Sequence, residues 1–212
     1  YLIKDGILVV TFQPAIGMLT NTLRKIISFK LIKKNDDIDT KVKKLSYAFS
    51  GHLKNLKYMS RLNKDWIIDV LINPAIIGSY LAPETIFTIL DKCEPLSTYP
   101  SFENGWRWYK SLISKNKKKL FLKDYYSNYL NFIDSKSTNK IINHKIGMSL
   151  DYELYKFYNK LLNYENSSNS FKEINYKILK DLKKLYLNLN KFKIVVINNL
   201  IKETINLLED KK

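Results

Sequence analysis

Apolar residues recur along most of the chain at intervals of three and four with polar residues between them, a spacing that predicts helices. Leu19, Leu23, Ile26 and Ile27 mark one helix over residues 18–29. Val42, Leu45, Phe49, Leu53 and Leu56 mark a second, capped by Asp39 or Thr40, with Gly51 placed to split it. Asn63 is a good cap for residues 65–71, and that helix is expected to end before Pro74, because the residue preceding a proline avoids helical geometry. Pro83 and Glu84 open another helix, with proline in its first turn and an acid near its positive end. Tyr125, Tyr126 and Tyr129 belong to a further helix, and residues 138–164 form one helical pattern. Beyond a polar linker at 165–170, residues 171–208 contain neither proline nor glycine and read as one long helix. Its seam of Ile178, Leu182, Leu185, Leu189, Phe192 and Val196 alternates steps of four and three. That seam predicts an antiparallel helical pair covering a core, with a dimerising coiled coil as the alternative.

The first dozen residues break the helical pattern. Lys4-Asp5-Gly6 reads as a turn, and Ile7-Leu8-Val9-Val10 is an unbroken apolar run ending at Thr11 and Phe12. Such a run predicts a strand over 7–11 buried on both faces, as in a parallel sheet with helices on either side. Almost everything downstream reads as helix, so most of that sheet is expected outside this sequence. With Tyr1 at its start, the chain reads as the C-terminal part of something longer. The segment from Gln13 to Gly17 then falls at the strand's carboxyl end, which faces the ligand crevice in open α/β sheets.

This opening element resembles the fifth strand of class I S-adenosylmethionine-dependent methyltransferases, where a Leu-Lys-Pro-Gly-Gly turn precedes the strand. Leu2-Ile3-Lys4-Asp5-Gly6 matches that turn loosely, with Asp5 where the family has proline or glycine. Residues 81–93 and then 97–102 look like the family's last crossover helix and following strand. Trp106-Arg107-Trp108-Tyr109-Lys110 looks like the aromatic-basic segment of members with helical extensions. The resemblance implies an α/β fragment, predominantly α-helical. In it, residues 1–113 are the C-terminal portion of a doubly wound sheet, 13–81 a helical substrate cap, and 114–212 a helical extension. It also implies methyl transfer from S-adenosylmethionine to an unidentified acceptor in the longer protein. The family's glycine-rich cofactor loop and ribose-binding acid do not occur in this sequence, so residues 1–212 alone are expected not to bind the cofactor.

On that reading the cap contributes Gln13, Tyr58 and Trp66 as acceptor-binding residues, with Arg61 and Asp65 beside them. His52 is the candidate catalytic base, because an imidazole with an ordinary pKa near 6.5 exchanges protons at neutral pH. The plainer alternative is a helix-surface histidine without a role. Trp106 and Arg107 are expected to form a stacking or cation–π wall for the acceptor, with Trp108 in the core. The alternative for this cluster is an arginine packed on core aromatics.

Charge adds a rival of another class. Lys and Arg number 36 against 20 Asp and Glu, a formal net charge of +16. Such an excess draws phosphates and nucleic acid at long range. The rival function is a basic helical binding module for nucleic acid or another acidic partner, without catalysis. The 115–119 run, beside Phe121, Tyr125 and Tyr126, offers lysines for phosphates and rings for bases. A compositional drift toward Lys, Asn, Ile and Tyr would explain the same charge without a role. Cys93 is the only cysteine and the histidines are only His52 and His144. An intrachain disulfide is therefore excluded, and no zinc-ligand spacing is visible, so no metal is expected. No apolar run approaches the roughly 18 residues of a membrane span. A cytoplasmic location fits the lone cysteine.

Overall fold

A computed structural model describes residues 6–33, 35–55, 59–73, 82–89, 93–98, 117–133, 141–165 and 171–209. Its helices, in chain order, begin with α1 (Ala15–Leu31), α2 (Ile38–Ala48) and α3 (Ser50–Asn55). Then come α4 (Asn63–Ile67), running on into a π-helical turn (Ile68–Ile72), and α5 (Pro83–Ile89). They continue with α6 (Lys117–Ser127) and a 3-10 turn (Tyr129–Phe132), then α7 (His144–Glu165), α8 (Phe171–Asn190) and α9 (Val195–Leu208).

The expected α/β fragment of a doubly wound sheet is not what forms. Among the described residues there is no strand. Ile7 and Val9, which the strand reading buries, are 75% and 87% exposed in an extended, unpaired segment. A strand buried on both faces needs bonded neighbours, and among the described residues nothing pairs with this segment. Residues 97 and 98 are also unpaired, and 99–102 lie outside the described residues, as do 103–113. The expected breaker at Gln13 to Gly17 is instead a helix start: α1 begins at Ala15, and the Pro14 carbonyl accepts the Met18 N–H at 3.3 Å.

The chain divides into two compact units, Tyr1–Met18 with Ser79–Ser149, and Leu19–Gly78 with Leu150–Lys212. The first is built on aromatic rings. Phe121, Tyr125, Tyr129 and Phe132 follow at helical steps, so their rings share a face. The Tyr125 ring has Phe132 at 5.1 Å, Tyr126 at 5.0 Å and Phe12 at 6.1 Å between centroids. The fully buried Tyr129 hydroxyl accepts the Ile16 N–H at 3.2 Å, satisfying one of the donors that the first turn of a helix leaves unpaired. The Tyr126 hydroxyl donates to the Glu84 carboxylate. Gly147 sits so close to the Tyr126 carbonyl that a Cβ there would overlap it, which is why the third residue after His144 in α7 carries no side chain.

The second unit buries Leu45, Leu53, Trp66, Ile67 and Leu71 as one cluster. Asp37, rather than Asp39 or Thr40, caps α2: its carboxylate accepts the Thr40 N–H at 2.8 Å and the Thr40 hydroxyl at 2.7 Å. The break after α2 falls at Phe49 rather than Gly51. The π-helical turn after α4 ends at Asn73, before Pro74 as expected.

The same unit holds the long helices. From Leu150 on, α7 buries Leu150, Leu154, Phe157 and Leu161. The face α8 buries is Ile178, Leu182, Leu185 and Leu189, each side chain contributing about 1.5–3 kcal/mol when fully removed from water. The single helix expected over 171–208 breaks at residues 191–193, where Lys193 takes a left-handed φ of 54°. The chain then reverses into α9, which packs on α8 and buries Ile197, Ile201 and Ile205. Val196, the last member of the expected seam, is 52% exposed, since the seam ends where the helix does. At the far end of α9 the Lys30 ammonium donates to the carbonyls of Leu207 and Leu208 at 2.8 and 3.0 Å, satisfying acceptors that no intrahelical donor reaches.

Candidate functional site

Of the residues expected to act in methyl transfer, the structure brings His52 and Trp66 together, their ring centroids 5.4 Å apart. Trp66 is a member of the core cluster around Leu45 and Ile67 and is 9% exposed. His52, on α3, has its Nε2 buried without a hydrogen-bond partner. Burial, and then the Arg24 charge, push its pKa below the ordinary 6.5, so the ring is neutral at pH 7. It packs as an uncharged ring on a tryptophan. Arg61 forms an exposed ion pair with Asp69 at 2.6 Å, and Asp65 is exposed. Gln13 is exposed in the extended segment of the other unit. Tyr58, Trp106 and Arg107 lie outside the described residues.

The resemblance puts S-adenosylmethionine at a sheet's carboxyl edge. Among the described residues no strand supplies such an edge, so they do not build a site that fits it, and no step through it follows. Nor do any three His, Cys, Asp or Glu side chains among the described residues gather as a metal site requires.

Of the 115–119 run, 115 and 116 lie outside the described residues, and Lys117 and Lys118 have partners within the fold. Lys117 pairs with Glu94 at 2.6 Å, and the Lys118 ammonium lies 5.8 Å from the centre of the Phe87 ring. Phe121, Tyr125 and Tyr126 are buried, so none offers a face on which a base could stack.

The basic surface with defined geometry lies elsewhere, between α7 and α8. These helices run antiparallel, as their cross-links show: the Asn188 amide donates to Glu153 at 2.7 Å, and Lys160 pairs with Asp181. A shallow cleft of about 70 Å³ follows, floored by Phe157 and Leu185 and walled by Lys156, Lys160 and Lys184. That is far below the ~300–1,000 Å³ of a small-molecule pocket, so the cleft suits side groups of a larger partner rather than an enclosed ligand.

Its two acids are committed within the fold. Lys156 donates to one oxygen of Glu153 at 2.6 Å and Asn188 to the other. Burial pushes the Glu153 carboxyl up, yet those hydrogen bonds outweigh it and hold it below its ordinary range. Asp181, 8% exposed, accepts from Lys160 on one oxygen and from the Tyr164 hydroxyl, at 2.5 Å, on the other. Burial, together with the Asp181 hydrogen bond and charge, pushes the Tyr164 phenol up to about 12, so it remains a donor at every working pH. Lys184 makes no ion pair or hydrogen bond among the described residues, and neither does Lys180, one turn along the same ridge. Comparison with protein-family models, curated proteins and solved structures found no match.

Sequence reasoning did not single out this cleft. Its lysines stand on separate helices that approach only after folding, and the one visible signal is the four-residue spacing of Lys156 with Lys160 and of Lys180 with Lys184. Among the described residues no helix is long and apolar enough to cross a membrane.

Proposed function

We propose that this chain is a basic helical binding module that holds a polyanionic partner by its lysines, without catalysis. The observation that carries the reading is the α7–α8 cleft, where Glu153 and Asp181 are saturated by internal donors while Lys184 on its wall, and Lys180 one turn away, pair with no acid among the described residues. A lysine surface whose carboxylates are already engaged presents its remaining positive charge outward. The overall +16 charge extends that attraction over distance and raises the rate of encounter. Of the stretches that carry the methyltransferase resemblance, 7–11 is extended, exposed and unpaired, and 106–110 lies outside the described residues. Trp66 belongs to the core cluster, and the half-buried His52 ring packs against it.

The test is a salt titration of binding to anionic polymers. The logarithm of the binding constant is expected to fall linearly with the logarithm of salt concentration, with a slope set by the number of charges neutralised. Replacing Lys180 and Lys184 with alanine should flatten that slope while leaving the melting temperature nearly unchanged. Salt-independent binding, or a slope indifferent to both lysines, would remove the reading.

A further inference from the structure

We infer that the α7–α8 face binds single-stranded nucleic acid, its lysines taking the phosphates and its exposed tyrosines stacking on the bases; this rests on the polyanion reading above and narrows it.

The added observation is where the aromatic rings stand. Tyr152 is 60% exposed on α7, and the Lys156 ammonium, itself on the wall of the cleft, lies 4.4 Å from its ring centre. Tyr176 is 71% exposed on α8 and begins a row at four-residue steps, Tyr176, Lys180, Lys184, whose last member lines the cleft. Because the helices are antiparallel, with Glu153 opposite Asn188 and Lys160 opposite Asp181, Tyr152 and Tyr176 stand toward opposite ends of the lysine row. About 13 residues of helical rise separate their levels, a span of about 20 Å. Exposed rings along a lysine row are an arrangement by which proteins hold single strands of ~4–16 nucleotides, because every unpaired base has a face to stack and every link has a phosphate to neutralise.

Other polyanions use this face less well. A duplex keeps its bases stacked on one another, so exposed tyrosines gain nothing from them beyond a hydroxyl contact. An acidic peptide would use the lysines and leave the rings in water. An anionic membrane is recognised by an apolar helix face inserted into it, and the apolar faces of α7 and α8 are buried with Phe157, Leu161, Leu182 and Leu185.

Fluorescence anisotropy with a labelled 20-nucleotide oligothymidylate, its duplex with oligoadenylate, and polyglutamate of equal charge as competitor tests the inference. The single strand should bind more tightly than the duplex. Tyr152→Ala and Tyr176→Ala should each weaken it by roughly five- to a hundredfold, with the salt slope retained. Lys180→Ala with Lys184→Ala should lower the magnitude of that slope by about 1.4, two phosphates at ~0.7 each. All four side chains are exposed, and melting curves confirm that each variant is folded. Tyrosine variants that bind like the unaltered protein overturn the inference, as does a duplex bound as tightly as the strand. Polyglutamate that displaces the strand at equal charge overturns it too, in favour of an acidic protein partner, while leaving the polyanion reading standing. If none of the three polymers binds, both readings fall together.

Discussion

A residue's type sets what chemistry it can do, and its neighbours decide whether it does it. His52 has the side chain expected of a general base, yet its ring lies against Trp66, its Nε2 is buried without a partner, and the Arg24 guanidinium stands near enough to disfavour a second positive charge. The consequence is a pH dependence with a definite sign. In the unfolded chain the imidazole takes a proton below about 6.5, whereas in the folded chain it does so only at a lower pH. Stability from this group is therefore whole above pH 6.5 and declines as pH falls from there through the folded pKa. His52→Phe keeps a ring against Trp66 and removes the titration. The melting-temperature difference between variant and parent should move in favour of the variant from pH 7 to pH 5 and stay flat above pH 7. Working above pH 5 leaves the carboxylates ionised, so their loss does not mask the effect. A difference constant from pH 5 to pH 8 would show that His52 does not titrate in this window.

At the scale of elements, helical periodicity was legible because it depends on one number, the 3.6-residue turn, which burial of one face enforces. Leu19, Leu23 and Ile26, and later Ile178, Leu182, Leu185 and Leu189, are buried as their spacing requires. The strand expected at 7–11 does not form for the opposite reason: a short apolar run carries no period, and whether it pairs depends on distant segments. The end of α8 was hidden too. Residues 171–208 lack proline and glycine, and the break is made by Lys193 in a left-handed conformation, which any sequence rule favouring glycine there would miss. That residue supplies a test. A side chain at positive φ costs about 1–2 kcal/mol, and glycine returns part of this through its greater freedom when unfolded. Lys193→Gly should therefore stabilise by about 0.5–1 kcal/mol, a rise of roughly 1–4 °C in melting temperature for a chain of this size. Lys193→Val, with a branched Cβ at the same φ, should lower it. If glycine lowers the melting temperature and valine does not, the turn at 191–193 is not what separates α8 from α9.

Over the whole molecule, charge was legible from composition while its location was not, because the cleft is assembled from α7 and α8 and the sequence shows only spacing within each. The excess of 36 cations over 20 anions has two effects of opposite sign, and salt separates them. In the free protein, like charges repel in the compact state more than in the unfolded one. Exposed pairs such as Lys64 with Asp39, 3.1 Å apart, contribute about 0–1 kcal/mol each and do not balance that excess. Raising salt from about 0.02 M to 0.5 M shortens the screening length to a few ångströms and should raise the melting temperature. With a saturating single strand present the order reverses. A ligand at 100 times its dissociation constant adds about 2.7 kcal/mol of stability at low salt. The same salt that screens the protein's own repulsion then weakens the complex, because the counterions released on binding must be recovered. The melting temperature of the complex should fall as salt rises, until it meets the rising curve of the free protein. Scanning calorimetry across this range, with and without the oligothymidylate, measures both limbs. A free protein whose melting temperature falls with salt would mean that its ion pairs outweigh its net charge, and parallel limbs would mean that the strand does not bind through the lysines.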